Sequence, residues 1–355
     1  MKSEEYFRGV LEGKRSGPVA LLLRLFLSIL SIPYGVVLQL RALAYARGLF
    51  KSYQLSKPVI SVGNITVGGT GKTPMVAFLA SYCIGRGKRV AVLSRGYGGS
   101  LHGEMRIVSD GREIFLTPGE AGDEPFMLAT RIPGLMVLIG PDRYKTALFA
   151  EEQLNPDIFL LDDGFQHLRL NRDLNILLLN RAKPFGNGFV LPAGLLREYR
   201  SAAKRADLVI YTRCGNEEPY NHFPDIPFCR ATHKIVGAVL LGGNSPVPLA
   251  PLAPLRGLAF AGIAEPADFF AMLEEAGLKI TGKMAFADHC RYGEKEIAEI
   301  VSEQKLLEAD YLITTEKDAV KLSPYLRELG IVYAALLEIE IRDMKNLADA
   351  VEQLL

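Results

Sequence analysis

Residues 57–84 read KPVISVGNITVGGTGKTPMVAFLASYCI. Val59, Ile60 and Val62 make a short β-branched run, which predicts a buried strand. It leads into Thr66-Val-Gly-Gly-Thr-Gly-Lys-Thr73, and Pro74–Ile84 then reads as a helix, with proline tolerated in the first turn. Strand, glycine loop, Gly-Lys-Thr and helix form the phosphate-binding loop arrangement. Gly68, Gly69 and Gly71 let backbone N–H groups converge on phosphate oxygens that side chains would block. Lys72 brings a mobile positive charge to the β- and γ-phosphates, Thr73 offers a hydroxyl to Mg²⁺, and the helix N-terminus adds its dipole. Gly68, Gly69, Thr70, Gly71, Lys72 and Thr73 are therefore the expected nucleotide-binding residues. The strict pattern has glycine where Thr66 stands.

Outward from the loop, Ile158–Asp163 (IFLLDD) is an apolar run ending in two carboxylates. It predicts a buried parallel strand delivering Asp162 or Asp163 to its C-terminal end, where open α/β sheets bind ligands. In phosphate-loop proteins such an aspartate holds the metal, directly or through water. Adjacent carboxylates point to opposite faces of a strand, so the two have different roles, or one caps the turn at Gly164. Arg89–Leu93, Leu135–Ile139, Asn175–Leu179 and Leu208–Tyr211 read as further strands, with Arg143–Leu154 as one of the helices between them. Asp110-Gly111, between Met105–Val108 and Glu113–Leu116, predicts an inserted hairpin. The fold class is α/β, a doubly wound and mostly parallel sheet of the P-loop NTPase type. After Thr212, CGNEEPYNHFPDIP reads as a linker. A smaller α/β domain follows, with strands at Gly257–Gly262, Leu278–Ile280 and Ile331–Ala335 and a helix over Pro266–Ala276. The expected division is 1–50, an apolar helical segment; 51–222, the nucleotide-binding domain; and 223–355, a smaller domain contributing to an active-site cleft.

The 355 residues carry 41 Lys+Arg against 40 Asp+Glu, a net charge of +1, which disfavours nucleic acid as a partner. With 49% hydrophobic and 23% charged residues the chain is not of disordered composition. Cys83, Cys214, Cys229 and Cys290 lie far apart with no C-x-x-C pair, so they read as buried thiols in a reducing compartment rather than a zinc site. The mean hydropathy of +0.14 has a local source. From 13 to 57 the charged residues are Lys14, Arg15, Arg24, Arg41, Arg47, Lys51 and Lys57, without one acid. Leu25–Leu40 within it is uncharged, and as helix it would reach about 24 Å against a hydrocarbon core of about 30 Å. Pro33 and Gly35 are expected to interrupt it. A transmembrane span and a buried helix pair remain open. The basic flanks favour an interfacial or hairpin-like anchor meeting anionic headgroups.

The remaining motifs come in a fixed order: Val62–Pro74; Leu93-Ser-Arg-Gly-Tyr-Gly98; Glu120-Ala-Gly-Asp-Glu-Pro125; Asp142-Arg-Tyr144; Leu161-Asp-Asp-Gly-Phe-Gln-His167; Leu191-Pro-Ala-Gly-Leu-Leu-Arg-Glu198; Phe286-Ala-Asp-His289; Thr314-Thr-Glu-Lys-Asp318. The set closely resembles the tetraacyldisaccharide 4′-kinase family, over nearly the whole chain. Small departures fall at Ala287 and Cys290, and the family's own non-glycine residue at the Thr66 position accounts for that departure. The resemblance implies transfer of the γ-phosphoryl group of ATP to the 4′-hydroxyl of a tetraacylated glucosamine disaccharide 1-phosphate, giving lipid IVA. It implies a lipid substrate at the cytoplasmic face of the inner membrane, reached by a peripheral or single-anchor attachment. No obligate protein partner is implied. A membrane-associated P-loop nucleotide switch is the alternative, weakened because neither Asn-Lys-x-Asp nor an early signature lysine is present.

The resemblance also implies roles. Lys72, Asp123 and His289 are the expected catalytic residues, and Thr73 and Asp162 the expected Mg²⁺ ligands. Asp123 acts as base towards the sugar hydroxyl, aided by His289. An ordinary carboxylate, titrating near pH ~4, is a weak base, and histidine, near ~6.5, suits the work of orienting it or sharing its proton. Without the family, Asp123 reads equally as a helix N-cap and His289 as a structural histidine. Glu124, Arg143, Asp163, Gln166, Arg197, Asp288 and Lys317 are supporting candidates, with Lys317 and Asp318 bordering base or ribose. Asp123 is expected from the first domain and His289 from the second, in a cleft whose closure assembles the pair.

Overall fold

The computed structural model describes all residues except 1–8, 11–14, 216–217 and 244. Lys14 of the basic flank and two positions of the expected linker lie outside the described residues. Strands are numbered along the chain: β1 Val59–Gly63, β2 Val90–Ser94, β3 Arg106–Asp110, β4 Met136–Ile139, β5 Ile158–Asp162, β6 Leu174–Asn180, β7 Leu208–Thr212, β8 Phe228–Leu240, β9 Pro246–Val247, β10 Gly257–Ala261, β11 Ile280–Ala285, β12 Tyr311–Thr315 and β13 Val332–Arg342.

The chain forms two compact units, and neither is contiguous. One comprises Met1–Leu93, Asp142–Thr232 and Ile341–Leu355; the other comprises Ser94–Pro141 and His233–Glu340. The linear division expected at residue 222 does not have this form. Ser94–Pro141 joins the later residues because the helix Asp123–Arg131 packs on the short helix Glu316–Ala319, with Arg131 and Glu316 paired at 2.7 Å.

In the first unit the strand order is β7-β6-β1-β5-β2, all parallel. The five residues of β1 and the five of β5 are all buried, as expected where both faces of a parallel sheet are covered. Helix Lys72–Ile84 packs on β1 and β5. The register sets Val62 of β1 opposite Asp162 of β5, so both strands end at the loop side. The stretch expected as a linker packs here too: Phe223 and Ile226 lie against the core around Tyr211 and Leu177, as does Phe228 just after it. Its turn residues hid apolar ones spaced to bury.

The apolar segment is one helix, Pro18–Ala46, running through Pro33. The expected interruption and the hairpin form are both corrected. An internal proline removes one hydrogen bond and crowds one carbonyl, costing about 3 kcal/mol, which the remaining turns of a long cooperative helix absorb. Gly35 is there for packing rather than breaking: a Cβ on it would lie 2.1 Å from the Tyr199 hydroxyl. At 29 residues the helix is about 44 Å long, more than a hydrocarbon core of about 30 Å requires. It is long and apolar enough to cross a membrane, and only 17% of its most apolar stretch is buried in the protein.

In the second unit β11-β10-β12-β13 form a parallel sheet. Leu258, Phe260 and Leu312 pack with Ile297 and Ile300 of helix Glu294–Leu306; Ala259, Ala261 and Tyr311 pack with Phe269 and Leu273 of helix Pro266–Glu275. Alternate strand residues thus feed two cores, one on each face. The turn at Asp110-Gly111 forms as expected, with Asp110 accepting from the backbone N–H of Arg112 and Glu113. Its second arm shrinks to a bridge at Ile114, and β3 pairs antiparallel with β4 instead.

Candidate active site

Two groups of residues carry the chemistry, one in each unit. In the first, the loop is built by β1 and closed from outside by residues 191–198. Thr66 bridges Leu196 in antiparallel register, Val67 donates to the Leu195 carbonyl at 2.7 Å, and Arg197 donates to Ile65 at 2.8 Å. Thr66 therefore needs extended backbone, for which glycine has no advantage. That is the physical reason for the departure from the strict loop pattern. Asn64 donates to the Thr70 hydroxyl at 2.9 Å and fixes the loop's far arm, while Gly71 takes the left-handed conformation (φ 82°) at the helix start. Arg213, which the sequence reading missed, donates to the Gly69 carbonyl at 3.0 Å.

The Asp-Asp-Gly-Phe-Gln segment packs beneath this loop. A Cβ on Gly63 would stand 2.6 Å from Phe165 Cβ and 2.7 Å from its backbone nitrogen, so β1 must end in glycine. Gln166 donates to the Asn64 carbonyl at 2.8 Å, bracing the loop. Asp163, in the left-handed region at φ 54°, pairs with Arg197 at 2.6 Å and with Lys72 at 3.8 Å. Burial pushes its carboxyl up, but the charges of Lys72 and Arg197 outweigh burial and hold it below the usual carboxylate range. Asp162 is 3% exposed at the end of β5. Arg143 is likewise buried, at the start of helix Arg143–Leu154, where Asp142 accepts from the N–H of Tyr144 and Lys145. Tyr34 of the apolar helix donates to the Arg197 carbonyl at 3.4 Å, and Arg41 donates to that of Gln166 at 3.0 Å.

The second group gathers around Asp123 and His289. Both lie in the same unit, so the expectation that they come from separate domains and meet on closure is corrected. The insertion Ser94–Pro141 carries Asp123 to the later residues. Asp123 opens the helix Asp123–Arg131, and the cap before it is Gly122, at φ 92°. A Cβ there would meet the Tyr97 carbonyl at 2.6 Å, so glycine is required for the Gly96–Gly98 turn to pass. His289 follows β11, held in the left-handed region (φ 59°) with its N–H on the Gly262 carbonyl at 3.1 Å. Its Nδ1 stands 3.3 Å from Asp123 Oδ2, and Tyr97 packs edge-on to the ring at 5.3 Å between centroids.

Two lysines bracket this pair. Lys317 Nζ lies 3.2 Å from His289 Nε2, 3.5 Å from Glu124 and 3.6 Å from Asp288. Lys317 thus meets the imidazole, and Asp318 the backbone beside it. Lys321 was not among the sequence candidates. It donates to Asp123 Oδ2 at 3.2 Å, to Asp318 at 3.1 Å and to the Cys290 carbonyl at 3.0 Å. Asp318, fully buried, also accepts from the Gly262 N–H at 2.9 Å and from the Thr315 hydroxyl at 2.8 Å. The signal for Lys321 was its spacing, four residues after Lys317 and three after Asp318. Burial pushes the Asp123 carboxyl up, but the His289 bond and the Lys321 charge outweigh burial and hold it below the usual range. Lys317 moves the other way: burial lowers it, while Glu124, Asp288, Asp123 and Asp318 together hold it above the ordinary lysine range.

The model of the tetraacyldisaccharide-1-P 4′-kinase family matches residues 23–355. The chain belongs to that family. It is 58% identical to the tetraacyldisaccharide 4′-kinase of Geobacter metallireducens, over 93% of this chain and 97% of that one. It is 56% identical to the Geobacter sulfurreducens protein of the same name over the full length of both. Among solved structures it is similar to LpxK from Aquifex aeolicus, determined in complex with ATP. The TM-score is 0.79 at 34% identity, covering 94% of this chain and 99% of that one. Membership in the tetraacyldisaccharide-1-P 4′-kinase family makes the chain an ATP-dependent phosphotransferase of lipid A biosynthesis, and it replaces the nucleotide-switch reading.

Proposed function

We propose that this chain transfers the γ-phosphoryl group of ATP to the 4′-hydroxyl of a tetraacylated disaccharide 1-phosphate, yielding lipid IVA. The observation that carries the reading is the Asp123–His289 contact at 3.3 Å, with Lys321 on the same carboxylate oxygen. Asp123 takes the hydroxyl proton as the sugar oxygen bonds to the γ-phosphorus. The bond from that phosphorus to the β,γ-bridging oxygen breaks, and ADP leaves with the electron pair. His289 orients the carboxylate and steadies its charge. Lys72 and the loop amides hold the phosphates, and Arg197 keeps Asp163 beside Lys72.

A hydroxyl on Thr73 and a carboxylate on Asp162 are hard oxygen donors of the kind Mg²⁺ takes, with nucleotide phosphates completing the set. Asp162 ends β5 across from the strand that feeds the loop, so the residues fit. Bound there, Mg²⁺ would offset phosphate charge. Asp162 is the metal ligand in this reading, and Asp163, engaged by two cations, keeps Lys72 in place. The helix Pro18–Ala46 would rest in or cross the cytoplasmic side of the inner membrane, where the acyl chains of the substrate lie.

The test is an assay with γ-labelled ATP and the disaccharide 1-phosphate in detergent micelles. Label appearing on the lipid 4′-oxygen supports the reading. ATP consumption with no labelled lipid would sink it.

A further inference from the structure

Arg24 and Arg41 are the two charged residues of the helix Pro18–Ala46. Arg24 is spent close by, its Nε donating to the Val10 carbonyl at 3.0 Å. Arg41 reaches across the unit. Its guanidinium lies 5.6 Å from the centroid of the Tyr45 ring, one turn on, and donates to the Gln166 carbonyl at 3.0 Å. Ring and carbonyl together hold a planar cation that a headgroup ligand would keep free in solvent. The Gln166 carbonyl has two lone pairs, and its other partner is the Leu168 N–H at 3.0 Å.

Gln166 is where this helix reaches the phosphate loop. Arg41 holds its backbone oxygen; its side-chain Nε2 donates to the Asn64 carbonyl at 2.8 Å; Asn64 Nδ2 donates to the Thr70 hydroxyl at 2.9 Å. Asn64 is fully buried and Thr70 nearly so. Other bonds seat the same turn through other atoms. The Gly164 N–H donates to Val62 at 3.0 Å, the Ser52 hydroxyl to the Leu168 carbonyl at 2.7 Å, and the Tyr53 N–H to the Arg169 carbonyl at 2.8 Å. These keep the turn docked without Arg41. What Arg41 adds is the orientation of the Gln166 carbonyl and of the amide on the same residue.

We propose that Arg41 is a positioning residue for ATP: from the apolar helix it orients Gln166, which aims Asn64 and through it the Thr70 arm of the phosphate loop. This rests on the kinase reading above and deepens it. Arg41 touches neither phosphate nor acceptor sugar in this scheme. A loop amide displaced by a few tenths of an ångström binds phosphate less well, so the effect falls on nucleotide affinity rather than on the transfer itself. The charge of Arg41 is used inside the protein, and lipid headgroups are left to the other basic residues of the stretch.

The full chain in detergent micelles is titrated with ATP and Mg²⁺ by calorimetry, without acceptor. Arg41→Met should raise the Kd of ATP about 3–10-fold, while kcat at saturating ATP stays within about twofold. Arg41→Lys, which keeps a cationic donor, should stay within about threefold of the wild type. In a Gln166→Leu background the Arg41→Met substitution should change Kd less than about 1.5-fold, because its route to the loop is already cut. Flotation with vesicles of about three parts phosphatidylethanolamine to one of phosphatidylglycerol should be unchanged in Arg41→Met. An unchanged Kd in Arg41→Met, an undiminished effect in the Gln166→Leu background, or a loss confined to vesicle binding overturns the proposal. If Arg41→Met does not fold, Arg41→Gln, whose amide is too short to reach the carbonyl, takes its place with the same outcomes. Failure of the kinase reading is separate: it shows as absent lipid phosphorylation by the wild type, which the ATP titration does not involve.

Discussion

Asp123 sits where desolvation and charge oppose each other, and charge wins. Its side chain is 15% exposed, yet His289 and Lys321 hold its carboxyl below the ordinary range. A depressed carboxyl contributes stability that is present above its unfolded value and is lost as pH falls through the lower folded value. Lys321→Met removes one of the lowering groups, so the carboxyl should protonate at higher pH. The acidic limb of the kcat–pH profile should then move upward, while Lys321→Arg should hold it near the wild-type position. Asp123→Ala should lower kcat about 10²–10⁴-fold while ATP still binds, as read by single-turnover kinetics and nucleotide titration. At the loop, Arg197→Ala removes the closer of the two cations on Asp163. ATP affinity should weaken by about tenfold, measured by calorimetry, because Asp163, no longer oriented by Arg197, is free to turn and places Lys72 less well.

Elements here end where backbones must approach. β1 stops at Gly63 against Phe165, and the helix of Asp123 starts at Gly122 against Tyr97. Gly63→Ala should destabilise the first unit by about 1–3 kcal/mol, because the atoms in the way include backbone and cannot swing aside. Thermal unfolding in the presence and absence of ATP would register it. The strand, the loop and the helix Lys72–Ile84 could all be read from local pattern, since each is contiguous and its chemistry follows from residue order. The apolar helix was harder. Pro33 carries a local cost that the long helix outweighs, and the reason for Gly35 is Tyr199, far away in the chain.

On the scale of the whole molecule, the net charge of +1 hides an acid-free basic stretch that is offset by acids in the rest of the chain, and the helix Pro18–Ala46 within it exposes apolar side chains. Leu22 and Ile29 are 65% and 58% exposed, so Leu22→Asp with Ile29→Asp should leave folding and ATP binding intact. Binding to vesicles containing anionic lipid should fall at least about tenfold in flotation assays, since each substitution puts charge where an apolar side chain would enter the lipid.

The sequence by itself determined the phosphate-binding loop, the carboxylates at the end of β5, the basic apolar segment and, through ordered motifs, the family. All of these rest on neighbours in the chain or on composition. Only the tertiary structure decided how Asp123 and His289 meet, across 166 positions of sequence, and that Lys317 and Lys321 bracket them. The division into units was decided there too, because Ser94–Pro141 packs on residues more than a hundred positions later. Hydrogen bonds and ion pairs act over a few ångströms of space, and residue order alone does not carry that distance.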